Sequence, residues 1–170
     1  FEQVDKILNS DRLLRHYISL HRNKFGFKPD YIRPYVARSD PALNSGLVPT
    51  ILALKVALSS YVQVEKETGV KLFPMLGTGS LPFRGGLTPD KIEKSVEEYA
   101  GVATLTIQSA FRYDYPINKV KKAVKILSEL LPKKKAKILS KEEVKAIKNA
   151  IPYFVSPYRR SIEKLAVLIN

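Results

Sequence analysis

The stretch Leu76–Gly86 reads LGTGSLPFRGG, and its reading decides the fold. An apolar run, Val70–Met75, precedes it, and a marked helix start, Thr88-Pro89-Asp90, follows it. Strand, glycine-rich loop, helix is an order that sets backbone N–H groups at the carboxyl end of a strand. Glycines let the backbone approach a ligand closely, and Arg84 offers planar, bidentate recognition of phosphate or carboxylate. The stretch therefore points to an anion site, and a phosphorylated substrate suits it. An RGG triplet is also a common turn, so the neighbouring elements must carry the argument further.

Working outward, Gly46–Thr68 has apolar residues on most sides and reads as the longest helix, packed on most of its faces, with Gly69 as its stop. Tyr31–Arg38 is rich in Tyr, Ile and Val and reads as a strand. Pro34 places its start near that residue, because proline cannot donate to a ladder. Ser39–Ser45 reads as a polar loop. Val70–Leu76 is the second strand. Thr88–Ala100 is the next helix, with Thr88 as cap, Pro89 at the first position, and Ile92, Val96 and Tyr99 inward. Val102–Ile107 is the third strand. Residues 4–21 form a leading helix with a break near Asn9-Ser10-Asp11, and Asn23–Pro29 is a loop. Three strands separated by helical crossovers make the βαβαβ pattern of a parallel sheet, open or closed into a barrel. After Pro116 the pattern is helical: Ile117–Leu131, then Ser140–Ala150 with a capping box (Ser140, Glu143), then Pro157–Ile169. Lys133–Lys137 reads as the flexible hinge. The division that follows is 1–116, a βαβαβ portion carrying the loops, and 117–170, a helical extension of the same domain.

Composition narrows the classes. With 170 residues, 45% hydrophobic and 26% charged, the chain can build one core and is not disordered. It has no cysteine, which excludes a disulfide scaffold and thiol chemistry and fits a reducing, cytoplasmic setting. The most apolar stretch, Leu47–Leu58, contains Lys55 and is short for a bilayer, so no membrane partner is expected. The formal net charge of +13 fits a lysine-rich solvated surface, then a cleft for small anions, then nucleic-acid or membrane binding. The most basic stretch, Lys119–Lys148, has no aromatic residue for stacking bases, so no nucleic-acid partner is expected. His16 and His21 lie five apart and do not share a helix face. They read as surface or core-edge residues. Gly77-x-Gly79 alone does not make a nucleotide site.

In parallel α/β folds the ligand lies at the carboxyl ends of the strands. Those ends are Arg38-Ser39-Asp40-Pro41, Gly77–Gly86 and Gln108–Asp114. Each carries an arginine and two carry an aspartate. Taken singly, Asp40 before a proline also fits a turn former, and Arg112 beside Tyr113 and Asp114 also fits a structural ion pair. Together they suit a phosphorylated carboxylic acid with a divalent cation, arginines balancing the anion and the hard oxygen of Asp40 holding Mg²⁺ or Mn²⁺.

Three segments, RPYVARSDPALNSGL (Arg33–Leu47), FPMLGTGSLPFRGGLTP (Phe73–Pro89) and TIQSAFRYDYP (Thr106–Pro116), resemble the short, archaeal-type branch of the phosphoenolpyruvate carboxylases. The resemblance implies a part of an (α/β)8 TIM-type barrel, about three parallel strands with crossover helices, followed by an all-helical part. It implies carboxylation of phosphoenolpyruvate by bicarbonate to oxaloacetate and phosphate, through carboxyphosphate and enolate intermediates, with Mg²⁺ or Mn²⁺, in a cytoplasmic homotetramer. Asp40 would ligate the metal. Arg84 and Arg112 would be catalytic, and Arg38, Gly85, Gly86 and Gln108 would bind substrate. The chain alone would be inactive.

The sequence also departs from the longer members of that family. They carry HGRGG early in the glycine-rich loop, where this chain has Leu76-Gly77-Thr78-Gly79. They also carry a lysine after the metal aspartate, with no match among Pro41–Gly46. The phosphate grip is then shared differently, with Arg38 as one candidate. The second metal carboxylate is expected before residue 1, with Glu2 a weaker choice. The alternatives are another metal-dependent barrel enzyme acting on a phosphorylated or keto acid, and a basic nucleic-acid-binding module.

Overall fold

The computed structural model describes residues 1–169. In chain order the helices are α1 (Val4–Leu8), α2 (Ser10–Phe25), α3 (Ser39–Ser45), α4 (Leu47–Thr68), α5 (Ile92–Glu98), α6 (Ser109–Tyr113), α7 (Ile117–Leu130) and α8 (Lys141–Ile169). The strands are β1 (Tyr31–Ile32), β2 (Tyr35–Ala37), β3 (Lys71–Leu72), β4 (Met75–Gly77) and β5 (Thr104–Leu105). The molecule is α/β, with short parallel strands and a helical C-terminal part.

Every strand pair is parallel: β1 with β3, and β2–β4–β5 in that order. Tyr31 stands opposite Lys71 and Tyr35 opposite Met75, so one register runs through both pairs and sets Pro34 opposite Pro74. The ladder crosses the prolines, since the Phe73 N–H donates to Ile32 O and the Met75 N–H to Pro34 O, both at 2.9 Å. The first strand thus spans Pro34 instead of starting there. A proline whose carbonyl still accepts interrupts a ladder without ending it. On the far side of β2, the Phe1 ammonium donates to Tyr35 O at 2.7 Å and the Ala37 N–H to Phe1 O at 2.9 Å. The extended chain therefore lies in sequence order across the sheet: Phe1, β2, β4, β5.

Successive side chains point to opposite faces of a strand. Val36 and Leu76 point into the main core, where they meet Leu54, Ala57 and Val64 of α4. The other face carries Tyr31, Arg33, Tyr35, Phe73 and Met75. Tyr31 and Phe73 pack edge to face with centroids 5.9 Å apart, and Arg33 donates to Thr104 Oγ1 at 2.9 Å. This second face is open: Tyr31, Tyr35 and Phe73 are 58%, 43% and 45% exposed.

α4 is the central helix, touching α1, α2, α3, α8 and β3. It is long and apolar enough to cross a membrane by length and composition, yet most of its apolar window is covered by these neighbours, as in a core helix. Inside it, Tyr61 donates to Ser10 Oγ, which donates to Ile7 O, a buried chain that satisfies each polar atom. Burial pushes the Tyr61 hydroxyl's pKa upward, so it stays a neutral donor. A second cluster, Leu87, Ile92, Val96, Phe111, Val120, Ala123 and Leu127, joins α5, α6 and α7.

Three local expectations are corrected. Ser39–Ser45 is a helix, because Pro41 in a first turn lacks only an N–H that no carbonyl needs there. α8 is one helix that runs through Pro152 and Pro157. Tyr158 Oη bonds Leu43 O at 2.8 Å and Arg159 Nε bonds Asn44 O at 3.1 Å, so anchoring to α3 offsets the lost helical bonds, each costing ~3 kcal/mol in isolation. The capping box at its start forms as expected, Glu143 N–H to Ser140 Oγ and Ser140 N–H to Glu143 Oε2. Lys133–Lys137 is a packed strap. Gly101 N–H donates to Lys134 O at 3.0 Å, and a Cβ on Gly101 would lie 2.5 Å from that of Ala136.

Candidate active site

The three loops named from sequence leave the same end of the sheet. They follow β2, β4 and β5, and are tied to one another just past the ladder. Thr78 N–H donates to Thr106 Oγ1 at 2.8 Å, and Thr78 Oγ1 donates to Thr106 O at 2.7 Å. Thr78 is buried, and these bonds are its local role.

The glycine-rich loop folds back on itself. Gly79 bonds the returning arm twice (Gly79 N–H to Arg84 O, 2.8 Å; Leu87 N–H to Gly79 O, 2.9 Å), and Gly86 N–H donates to Leu81 O at 3.0 Å. A one-turn 3-10 helix, Pro82–Arg84, delivers Arg84 to the tip. Gly85 follows at φ +109°, a conformation that side-chain-bearing residues rarely adopt, and a Cβ there would lie 2.6 Å from Tyr99 Oη. On the outer side Arg84 Nη1 donates to Gln108 Oε1 at 2.8 Å. That bond joins the second loop to the third. Gly79 makes room for it, because a Cβ there would meet the same oxygen at 2.5 Å.

Arg38 takes a different course. It leaves the end of β2, turns beneath the loop, and is 3% exposed. Among the described residues its Nε and Nη1 have no hydrogen-bond partner, and neither has Ser80 Oγ nearby. A buried donor left unpaired costs ~1–3 kcal/mol, more for a charged group. Beneath Gly85 and Gly86 lies a cavity of about 300 Å³ lined by Arg38, Ser80, Thr88, Lys91, Glu98 and Tyr99. The Tyr99 hydroxyl donates to Gly85 O at 2.5 Å. Burial raises its pKa, and the neighbouring Arg38 charge opposes that rise.

The remaining site residues lie apart from this cavity. Asp40, in the first turn of α3, is exposed and accepts only from Ser39 Oγ at 3.3 Å. It lines a shallow depression with Phe1, Glu2, Gln3 and Lys6. Arg112, on α6, lies over the Tyr113 ring at 5.0 Å and pairs with no carboxylate among the described residues. The ion-pair reading with Asp114 is thereby excluded. The structure thus brings Arg84 to Gln108, and Arg38 to Gly85 and Gly86. Asp40 and Arg112 stand separately at the same sheet end. Three residues absent from the sequence reading of the site emerge here: Tyr99, Ser80 and Thr106. The signal for Tyr99 was available, since a buried tyrosine hydroxyl needs a partner.

Comparison with known proteins decides the family. A family model described as phosphoenolpyruvate carboxylase matches residues 1–170. This chain belongs to the phosphoenolpyruvate carboxylase family. It is 41% identical to the phosphoenolpyruvate carboxylase of Metallosphaera sedula over 169 residues, 99% of this chain and 32% of that protein. It is 44% identical to that of Pyrococcus horikoshii over 127 residues, 75% of this chain and 26% of the relative. With the Methanothermobacter thermautotrophicus enzyme the figures are 36% over 170 residues, all of this chain and 33% of the relative. The chain spans about a third of the length of the carboxylases it matches.

Within this carboxylase family member, the lysine-rich stretch is partly engaged in the fold. Lys119 pairs with Asp90 at 2.5 Å, Lys137 with Glu143 at 2.9 Å, and Lys134 with Glu97. His21 Nδ1 donates to Phe27 O at 2.9 Å, beside Phe25 and Phe27, the core-edge placement expected of it.

Proposed function

We propose that this chain is the part of a phosphoenolpyruvate carboxylase that supplies the anion-binding loops of its active site. The observation that carries the reading is the set of three loops at one end of a sequentially ordered parallel sheet, bearing arginines that pair with no carboxylate among the described residues. Sequential order with all-parallel pairing is what a segment of an (α/β)8 barrel has. The open face with Tyr31, Tyr35 and Phe73 would then be its interior, covered by the rest of the protein.

The reaction read from the family is the transfer of the phosphoryl group of phosphoenolpyruvate to bicarbonate. This gives carboxyphosphate and the enolate of pyruvate, and the enolate then attacks carbon dioxide to form oxaloacetate. Arg84, held at the loop tip by Gln108, lies where charge develops on the transferred phosphoryl oxygens. Such a preorganised donor is worth ~3–4 kcal/mol of barrier. Gly85 and Gly86 let the chain approach the substrate, Arg112 meets the substrate anion from the third loop, and Arg38 adds positive charge from below.

Among the described residues no group of three or more His, Asp or Glu is arranged around a cation. One or two carboxylates with substrate oxygens is nonetheless the usual Mg²⁺ environment, and Asp40, with Glu2 on the same depression, fits that donor set. Asp40 would hold Mg²⁺ or Mn²⁺, which when bound neutralises charge on the substrate oxygens. Homotetramer assembly and a cytoplasmic location belong to the same reading.

The test is made on the full-length protein. With phosphoenolpyruvate and bicarbonate it is expected to form oxaloacetate, followed by NADH oxidation with added malate dehydrogenase. Asp40→Asn is expected to abolish this with an unchanged circular dichroism spectrum. A different product from phosphoenolpyruvate, or full activity in Asp40→Asn, would overturn the reading.

A further inference from the structure

The tip of the glycine-rich loop is closed almost wholly on itself. Arg84 N–H donates to Leu81 O at 2.9 Å, Gly85 N–H to Pro82 O at 3.0 Å, and Gly79 N–H to Arg84 O at 2.8 Å. Among the described residues, one hydrogen bond to the tip's backbone comes from outside the loop: the Tyr99 hydroxyl, donating to Gly85 O at 2.5 Å. That donor is firmly mounted. Tyr99 is 2% exposed, and its ring is part of the main core. It caps the C-terminus of α5, and the chain is held on both sides of it. Lys55 of the central helix bonds the Glu98 carbonyl and pairs with the Glu98 carboxylate, and Gly101 N–H donates to Lys134 O at 3.0 Å. Arg84, by contrast, is exposed at the tip, and its guanidinium makes a single hydrogen bond, to Gln108. A charged donor at a loop tip needs such a mount, since a displacement of about 1 Å removes much of its effect on a reacting group.

We propose that Tyr99 is a positioning residue for the reaction: from the end of α5 it holds the Gly85 carbonyl, and so sets where Arg84 stands. It acts through Arg84 and makes no contact with substrate itself. Two features of Gly85 suit this role. A Cβ there would lie 2.6 Å from the hydroxyl, so only glycine lets Tyr99 come this close. Glycine is also the residue whose backbone turns most freely, so the Gly85–Gly86 turn needs an outside bond to define one pose. Phenylalanine in place of Tyr99 would keep the ring in the core and leave Gly85 O without its donor. The inference rests on the carboxylase reading for the rate it predicts, and on the geometry alone for the anchoring.

The experiment uses the full-length protein as wild type, Tyr99→Phe, Arg84→Ala and the double variant. Hydrogen exchange read by mass spectrometry reports the anchoring. Tyr99→Phe should speed exchange about fivefold in peptides covering Gly79–Leu87, the worth of one neutral hydrogen bond, and leave peptides of α4 unchanged. Oxaloacetate formation reports the positioning. In Tyr99→Phe, kcat should fall about fivefold with the KM for phosphoenolpyruvate within about twofold, the pattern of an interaction felt in the transition state. In the Arg84→Ala background the same substitution should cost less than about twofold, because the group it positions is gone. A tyrosine that serves only the fold would speed exchange in α4 as much as in the loop, and would leave the kcat of the folded protein unchanged. Either result overturns the inference, as does an undiminished cost in the Arg84→Ala background. Should Tyr99→Phe fail to fold, Gly85→Ala, which meets the same hydroxyl from the loop side, replaces it in both readouts. Should the wild type make no oxaloacetate, the carboxylase reading falls and exchange alone decides. A faster loop beside an unchanged α4 then supports the anchor, and an unchanged loop overturns it.

Discussion

Arg15 and Arg38 carry the same side chain into opposite circumstances. Arg15, on the outer face of α2, is part-exposed and bonds two carboxylates, Asp11 at 2.5 Å and Glu67 at 2.7 Å. Arg38, at the end of β2, is buried beside the Tyr99 hydroxyl, and its Nε and Nη1 have no hydrogen-bond partner among the described residues. The contrast extends to the regions around them. On the helical side, Lys55, Lys119, Lys134 and Lys137 each find a carboxylate. At the strand ends, Arg84 finds an amide and Arg112 a ring. Pairing within the protein serves the fold and leaves nothing for a ligand. Unpaired cations at the strand ends cost stability and are consistent with a site that a bound anion completes.

This division can be broken by moving stability and activity separately in the full-length protein. The largest stability effect is expected on the helical side. Leu54→Ala empties the centre of α4, where Leu54 is 1% exposed, and should lower unfolding free energy by ~2–5 kcal/mol. Its folded fraction should keep kcat/KM within about twofold, since no substrate group is touched. A large fall in kcat/KM at a temperature where the variant is fully folded would erase the distinction. Gly85→Ala sharpens the other side. It forces a Cβ into a positive-φ turn and against Tyr99 Oη, costing ~1–3 kcal/mol locally. Its kcat/KM should fall at least about tenfold, more than its stability predicts, and Tyr99→Phe should reproduce part of that fall.

The smallest effect concerns the capping box. The Ser140 N–H, and then Lys137, hold the Glu143 carboxyl below its ordinary pKa of 4.5. A carboxylate depressed in the folded state stabilises above its unfolded pKa, and that contribution disappears as pH falls through the folded value. Stability measured from pH 6 downward should therefore drop slightly less in Glu143→Gln than in the wild type. Ser140→Ala should cost ~1 kcal/mol at neutral pH, with activity unchanged. Equal acid slopes in the two proteins would remove Glu143 from the account.

The parallel order and the long helix α4 were legible because they rest on local signals: periodicity, capping residues, and glycines at helix ends. Arg84, Gln108 and Arg112 were legible as strand-end residues for the same reason. What was not legible depends on partners distant in sequence. Pro152 and Pro157 read as helix breaks, and only the bonds of Tyr158 and Arg159 to α3 let α8 continue. Asp40-Pro41 read as a turn, although the same pair suits a first helical turn. Arg38 was placed at the site by its position after β2. Its descent beneath the loop is set by packing against Tyr99 and the loop, which no local pattern records. Thr78 read as part of the glycine-rich loop and Thr106 as a strand residue, and their mutual bonds appear only once β4 and β5 lie side by side.

The central claim is that the strand-end loops form the substrate-anion site of a carboxylase, with Arg84 as the cation at the loop tip. Its most direct test is the rate of oxaloacetate formation by full-length Arg84→Ala against wild type at saturating bicarbonate. The account predicts a loss in kcat on the order of 10²–10³, with thermal unfolding unchanged. Retention of most of the wild-type rate by a folded Arg84→Ala protein would contradict it.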